Sequence, residues 1–246
     1  MSNPIEDFKK ERQERINAQG SNEKLKSAAD SFMRESIKTG YSYNFHWLGR
    51  PIIQYPQDII AMQELIWNVQ PDIIIETGIA HGGTVLFHAS MLQLLGGERK
   101  TVSIDIDIRD HNRAEIEAHP MCKNVTMLQG SSIDSEIVES AFDLAKGCEN
   151  PMVILDSNHT HEHVLEEMKL YSPLVKKGSY MVVFDTVIEE LPEEASADRP
   201  WAPGNNPMTA VDEFLKTNDR FVRDTDIDNK LMFSVAPRGY LKCIKD

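Results

Sequence analysis

The chain has 246 residues, 41% of them hydrophobic, and 26 Lys and Arg against 39 Asp and Glu give a net charge of −13. That length holds one large α/β domain, or a domain with an appendage, and buries a full core. The acidic balance argues against nucleic acid or an anionic membrane as partner, because both are bound through Lys and Arg.

Cys122, Cys148 and Cys243 are far apart and odd in number. They form neither a disulfide framework nor a Cys-x-x-Cys zinc pattern, so a reduced, cytoplasmic setting is expected. The first residues contain no apolar signal core, and no apolar run has the length of a transmembrane segment.

Residues 1–39 carry charges of both signs around sparse apolar positions such as Phe8, Ile16, Leu25 and Met33. They read as a helical extension of one or two surface helices interrupted at Gly20-Ser21-Asn22, with residues 40–246 forming the main domain. Residues 40–56 are an aromatic connector (Tyr41, Tyr43, Phe45, Trp47, Tyr55) with turns at Arg50-Pro51 and Tyr55-Pro56. Asp58 is expected to cap a helix whose apolar face runs from Ile59 to Val69.

The stretch Asp72-Ile73-Ile74-Ile75-Glu76-Thr77-Gly78 is a buried strand leading into a Gly-rich turn, Gly78 to Thr84. Further strands are expected at 101–105, 124–129, 152–156 and 179–185. Helices at 84–95, 110–118, 133–145 and 161–172 separate them. This alternation implies a mainly parallel, doubly wound sheet with right-handed crossovers and helices on both faces. Residues 189–207, with Trp201 near their end, carry no helix or strand pattern and leave from the fifth strand, which suits a lid. A helix at 208–217 follows. Residues 221–227 and 231–235 then read as two final antiparallel strands, with Asp228-Asn229-Lys230 as a tight hairpin turn.

Such a sheet binds its ligand at the carboxyl ends of its strands. Here four of the five strands end in a carboxylate: Glu76, Asp105, Asp156 and Asp185. A carboxylate at the mouth of a Gly-rich turn would repel a pyrophosphate, and the turn lacks Gly-x-Gly-x-x-Gly. A nicotinamide-dependent oxidoreductase is therefore the weaker reading. Glu76 suits a cationic, hydroxyl-bearing ligand, which points to S-adenosylmethionine. Glu76, Thr77, Gly78, Gly82 and Thr84 would cradle that cofactor, and Asp105 would accept its ribose hydroxyls. Ser131 and Ser132, in the Gly-Ser turn after the third strand, would approach the adenine edge. Alternatively, Ser132 or Asp134 is simply a helix cap.

Asp156 begins a run with three histidines, His159, His161 and His163. Asp156 and Asp185 have the oxygen chemistry to hold Mg²⁺, with Asp156 also touching the cofactor. His159 would then be a general base on a substrate hydroxyl. Zinc on the three histidines is the alternative, although their spacing does not share one helical face.

From about Trp47 to Lys245 the chain resembles the cephalosporin hydroxylase family, which includes rhamnosyl O-methyltransferases. The resemblance rests on Glu76-Thr77-Gly78, Ser103-Ile104-Asp105-Ile106-Asp107, and Leu155-Asp156-Ser157 with His159 and His163-Val164. It continues through Val183-Phe184-Asp185-Thr186 and from Phe233 to Gly239-Tyr240-Leu241. It implies a Rossmann-like class I methyltransferase with a seven-stranded sheet ending in an antiparallel hairpin. It also implies S-adenosylmethionine as methyl donor and a sugar hydroxyl of a glycolipid, polysaccharide or natural product as acceptor. Self-association follows from the same resemblance, as do metal ligands at Asp156 and Asp185. Members often carry an acidic residue just before the second aspartate, where this chain has Phe184. In the catechol type of O-methyltransferase an amide residue adjoins the two aspartates, and Thr186 stands in that place here. A member that keeps the fold without the chemistry is the remaining alternative.

Overall fold

The computed structural model describes residues 3–246. Two helices come first, α1 (Pro4–Gly20) and α2 (Glu23–Lys38). Asn3 and Asn22 cap them with side-chain oxygens that accept from the amides of Ile5 and Leu25. The sparse apolar positions suffice to dock them, since Ile16, Ala29 and Met33 are buried. A short antiparallel ribbon follows, β1 (His46–Trp47) with β2 (Arg50–Pro51).

The chain then runs α3 (Pro56–Val69), β3 (Ile73–Thr77), α4 (Gly83–Leu95), β4 (Lys100–Asp105), α5 (Asp110–Glu117), β5 (Val125–Gln129), α6 (Ser135–Ala145), β6 (Pro151–Leu155), α7 (His161–Tyr171) and β7 (Tyr180–Val183). It ends with α8 (Pro207–Thr217), β8 (Phe221–Arg223), α9 (Thr225–Leu231) and β9 (Tyr240–Cys243). The seven-stranded sheet has the order β5-β4-β3-β6-β7-β9-β8. Its first five strands are parallel, and β9 pairs antiparallel with both β7 and β8.

The central strand β3 is buried along its whole length, so its isoleucines need no polar alternation. Ile73 and Ile75 face one core layer with Val102, Met168 and Phe214, while Ile74 faces the other with Phe87, Met152 and Tyr240. β4 lies on one side of β3 and β6 on the other. This reversal of strand order opens a crevice at the carboxyl ends of β3 and β6.

The hairpin at the end of the chain is a correction. Residues 225–231 are helical, so Asp228-Asn229-Lys230 lies within a helix and not at a turn. Asp224 supplies the start signal, accepting from the amide of Asp226. Ile227 and Leu231, four apart, bury one face in the core. Residues 231–235 form no strand, and the last strand is Tyr240–Cys243. The antiparallel edge survives with a helix as its connection.

Asp58 is not the cap of α3. Tyr55 occupies that position, with Pro56 in the first turn. Asp58 is instead 1% exposed and accepts hydrogen bonds from Ser234, Val235 and Tyr240. The 189–207 stretch is more ordered than its composition indicated. It contains a 3-10 turn at Glu193–Ser196 and a bridge between Ala202 and Asn205. Glu189 pins it by accepting from the Gly204 amide and the Asn206 side chain.

Candidate active site

The strand reversal places the turn after β3 directly against the end of β6. Asp156 donates its amide to the carbonyl of Thr77. A Cβ on Gly78 would lie 2.1 Å from the carbonyl oxygen of Asp156, and Gly78 has φ +94°. Only glycine fits both conditions. Gly82, at φ +83°, opens α4. Thr84 lines a crevice of about 40 Å³ together with Gly78, Ala80 and Asp156.

Beyond this turn lies a cleft of about 400 Å³. Gly78, Ala80, Asp105, Asp156, Ser157, His159 and Asp185 line it. Ile37, Tyr43, Val187, Leu191 and Trp201 form much of the apolar remainder. The wall is thus drawn from α2, the aromatic connector and the segment before α8.

Asp105 braces the Gly-rich turn. One of its oxygens accepts from the amides of Ile79 (2.8 Å) and Ala80 (3.3 Å), and the other from Asp107 (3.0 Å). A carboxylate has about four lone-pair sites, so one remains for a ligand hydroxyl. Glu76 lies deeper, at 1% exposure. It accepts from Ser103 at 3.1 Å, and His88 Nδ1 stands 3.5 Å away. It lines neither the cleft nor the smaller crevice. Thr77 is fully buried. Ser131 is half-buried and closes a turn with Asp134, which occupies the α6 cap position without a side-chain bond. Ser132 is turned inward, toward Glu167 and His163.

Asp156, His159 and Asp185 each present a ligand atom within 4.8 Å of the others. His159 Nε2 is 3.1 Å from Asp185 Oδ2, and Trp201 packs edge-on against the imidazole with ring centroids 4.7 Å apart. Asp185 has φ +56°, an uncommon conformation for a non-glycine residue. Burial raises the Asp156 carboxyl well above the ordinary carboxylate range, and the charges of Asp185, Glu76 and Glu167 push it the same way. The Gln54 amide donates to Asp156 at 3.1 Å and opposes that rise. Gln54 Oε1 is buried and without a partner among the described residues. Crowded carboxylates beside an unsatisfied acceptor are a donor set for a cation.

Thr186 is fully buried, and its hydroxyl donates to the carbonyl of Pro237 at 2.7 Å. Phe184 is packed in the apolar core, so that position presents no carboxylate to the cleft. The zinc alternative is overturned, because the three histidines serve three separate purposes. His159 meets Asp185, His161 meets Glu213 and Thr209, and His163 meets Ser132.

Two supports were not apparent from the sequence. Arg50, in β2, donates twice to the carbonyl of His81 and once to Asn112, whose amide holds the carbonyl of Ala80. The pair clamps the outer side of the Gly-rich turn, where Ala80 has φ +45°. Gln54 comes from the same connector. A lone Gln between Ile53 and Tyr55 was the available signal.

The family model for Rhamnosyl O-methyltransferase/CmcI matches residues 39–244. The rhamnosyl O-methyltransferase of Mycobacterium bovis (strain BCG / Pasteur 1173P2) is 32% identical over 189 residues, covering 75% of this chain and 72% of that protein. The Mycobacterium leprae protein of the same name is 27% identical over 199 residues, covering 79% and 81%. Among solved structures, CmcI with Mg and SAM superposes with a TM-score of 0.57 at 18% identity, over 82% of this chain and 77% of that one. The O-methyltransferase TomG from Streptomyces achromogenes, in complex with SAM, gives 0.54 at 16% identity, over 92% and 91%. These structural likenesses establish a shared fold. On the extent of the family match and the identity to its curated relatives, the chain belongs to the Rhamnosyl O-methyltransferase/CmcI family.

Proposed function

We propose that this S-adenosylmethionine-dependent O-methyltransferase acts on a sugar hydroxyl, of rhamnosyl type, carried by a glycolipid, polysaccharide or natural product. A divalent cation held at Asp156 and Asp185 would assist. The observation that carries the reading is the Asp156–His159–Asp185 cluster in the cleft beside the Gly-rich turn. The curated relatives, named as rhamnosyl O-methyltransferases, support the acceptor class. A cation bound there would orient the acceptor hydroxyl and lower its pKa.

The acceptor oxygen attacks the methyl carbon, and the electrons of the C–S bond return to sulfur. This leaves S-adenosylhomocysteine and the methyl ether. Asp156 and Asp185 would hold the cation that positions the acceptor oxygen for in-line attack. His159, whose Nε2 stands 3.1 Å from Asp185, would take the hydroxyl proton and become an imidazolium paired with that carboxylate. The apolar wall excludes competing water. Thr186 supports Asp185 through its bond to Pro237.

The test is transfer of a labelled methyl group from S-adenosylmethionine to p-nitrophenyl α-L-rhamnoside with Mg²⁺. Mass spectrometry should find the methyl on the sugar, and EDTA should suppress it. If S-adenosylhomocysteine binds but no member of a glycoside panel is methylated, the acceptor class is wrong. If neither happens, the cofactor assignment falls too.

Arg50→Ala provides a separate check on the cofactor half. It removes the clamp on His81 and frees the Gly-rich turn. Calorimetry should show S-adenosylhomocysteine bound about tenfold more weakly, the scale of one charge-assisted hydrogen bond. An unchanged affinity would mean that the turn is held by Asp105 alone.

A further inference from the structure

One face of α2 looks onto two adjoining hollows. Asp30, Met33, Arg34 and Ile37 recur at helical spacing and share that face. Ile37 lines the cleft. Asp30, Met33 and Arg34 line a second groove, of about 470 Å³, between α2 and the turn after β7. Val187 and Leu191 line both, so cleft and groove meet at those two residues. From Asp30 to Ile37 the helix rises about 10 Å, further than one pyranose ring reaches.

The charged groups of the groove are of two kinds. Glu189 is committed to the Gly204 amide and the Asn206 side chain, and Glu190 to Arg238. The side chains of Asp30 and Arg34 are exposed and have no hydrogen-bond or ion-pair partner among the described residues, although four residues on one helix is the usual spacing for such a pair. The groove thus offers one free carboxylate and one free guanidinium, with Met33, Val187 and Leu191 as apolar surface between them and the cleft. A neutral, polyhydroxylated ring satisfies all three: hydroxyls donate to Asp30 and accept from Arg34, and a C–H face covers the apolar residues. A lipid tail would desolvate the charges without pairing them. An anionic group would meet Glu189 and Glu190.

The cleft has to admit both the methyl donor and the sugar that receives the methyl, so the remainder of a longer acceptor lies outside it. We propose that the groove is a second sugar subsite, in which Asp30 and Arg34 bind the unit next to the methylated sugar. The acceptor is then an oligosaccharide chain, not a single sugar on an apolar carrier. This deepens the sugar-acceptor reading given above and rests on it.

The test compares kcat and KM, with Mg²⁺ present, for three kinds of acceptor. These are p-nitrophenyl α-L-rhamnoside, octyl α-L-rhamnoside, and a panel of p-nitrophenyl disaccharides that carry the same rhamnose in each linkage. In the wild type at least one disaccharide should have a KM about tenfold or more below that of the monosaccharide at similar kcat, as added binding remote from the reacting atoms requires. Arg34→Ala and Asp30→Ala should each raise that KM about fivefold or more, the scale of one hydrogen bond to a charged group. KM for the monosaccharide and the affinity for S-adenosylhomocysteine should stay within about twofold, since neither molecule reaches the groove. Arg34→Lys keeps the charge without the planar fork and should recover only part of the loss. A structural role for this face of α2 would move both acceptors alike, overturning the inference. Disaccharides no better than the monosaccharide would overturn it while leaving the sugar-acceptor reading standing. An octyl chain that lowers KM more than any second sugar would assign the groove to an apolar carrier and overturn it too. If no glycoside is methylated, the reading and the inference fall together.

Discussion

Asp156→Asn is expected to lower the rate of methyl transfer by about a thousandfold or more, equivalent to about 4 kcal/mol of transition-state stabilisation. S-adenosylhomocysteine binding should stay within about threefold, because the Gly-rich turn and Asp105 are untouched. The substitution keeps the shape of the side chain, and Gln54 can still pair with an amide oxygen. It removes the charge that shares a cluster with His159 and Asp185. It also relieves crowding, since Asp185, Glu76 and Glu167 all act against a charge on Asp156. Thermal stability should therefore hold or rise while turnover collapses. A Mg²⁺ titration followed by calorimetry should lose its signal in the variant. Turnover within tenfold of wild type would remove Asp156 from the reaction, and a matching fall in stability would recast it as a structural group.

Much of this site was legible in the amino-acid sequence. Glu76, Asp105, Asp156 and Asp185 end short apolar runs, and a parallel sheet collects such ends at one edge. Gly78 and Gly82 were legible as a turn, and the structure adds the reason for the first, a backbone approach to Asp156. What could not be read is what tertiary packing assembles. Gln54 meets Asp156 across 102 residues, Arg50 meets Asn112 across 62, and Ser132 meets Glu167 across 35. None of these pairs has a spacing that local geometry would mark. The end of the chain failed for another reason. Residues 221–235 alternate loosely enough for strands, but Asp224 at a cap and an Ile227–Leu231 pair at helical spacing won once a core face was available. The sequence shows that His159, His161 and His163 are close along the chain, as zinc ligands would be, and not where they point.

Asp58→Ala is expected to cost about 3 kcal/mol or more. It leaves buried donors unpaired on Ser234, Tyr240 and the Val235 amide, at about 1–3 kcal/mol each before any rearrangement. The damage should reach the active site. Val235 accepts from the amide of Val187, and Pro237 accepts from Thr186, so the segment that Asp58 anchors holds the turn carrying Asp185. The conservative Asp58→Asn isolates the charge. In the folded protein burial raises the Asp58 carboxyl to about 6, outweighing the hydrogen bonds from Ser234, Tyr240 and Val235 that pull it down. The unfolded chain releases that proton near 3.8. Between those values the folded state binds more protons, so this group makes stability fall as pH rises, and the deficit is constant above about 6. The shift corresponds to about 3 kcal/mol. Asparagine has no such slope, and its one constant penalty is an amide nitrogen facing the Val235 N–H. Urea titrations of both proteins from pH 4 to pH 7 should therefore show the wild type's advantage over Asp58→Asn shrinking by about 2 kcal/mol. A difference that does not vary with pH would mean that Asp58 is ionised across the whole range, with the Ser234, Val235 and Tyr240 bonds outweighing the cost of burial.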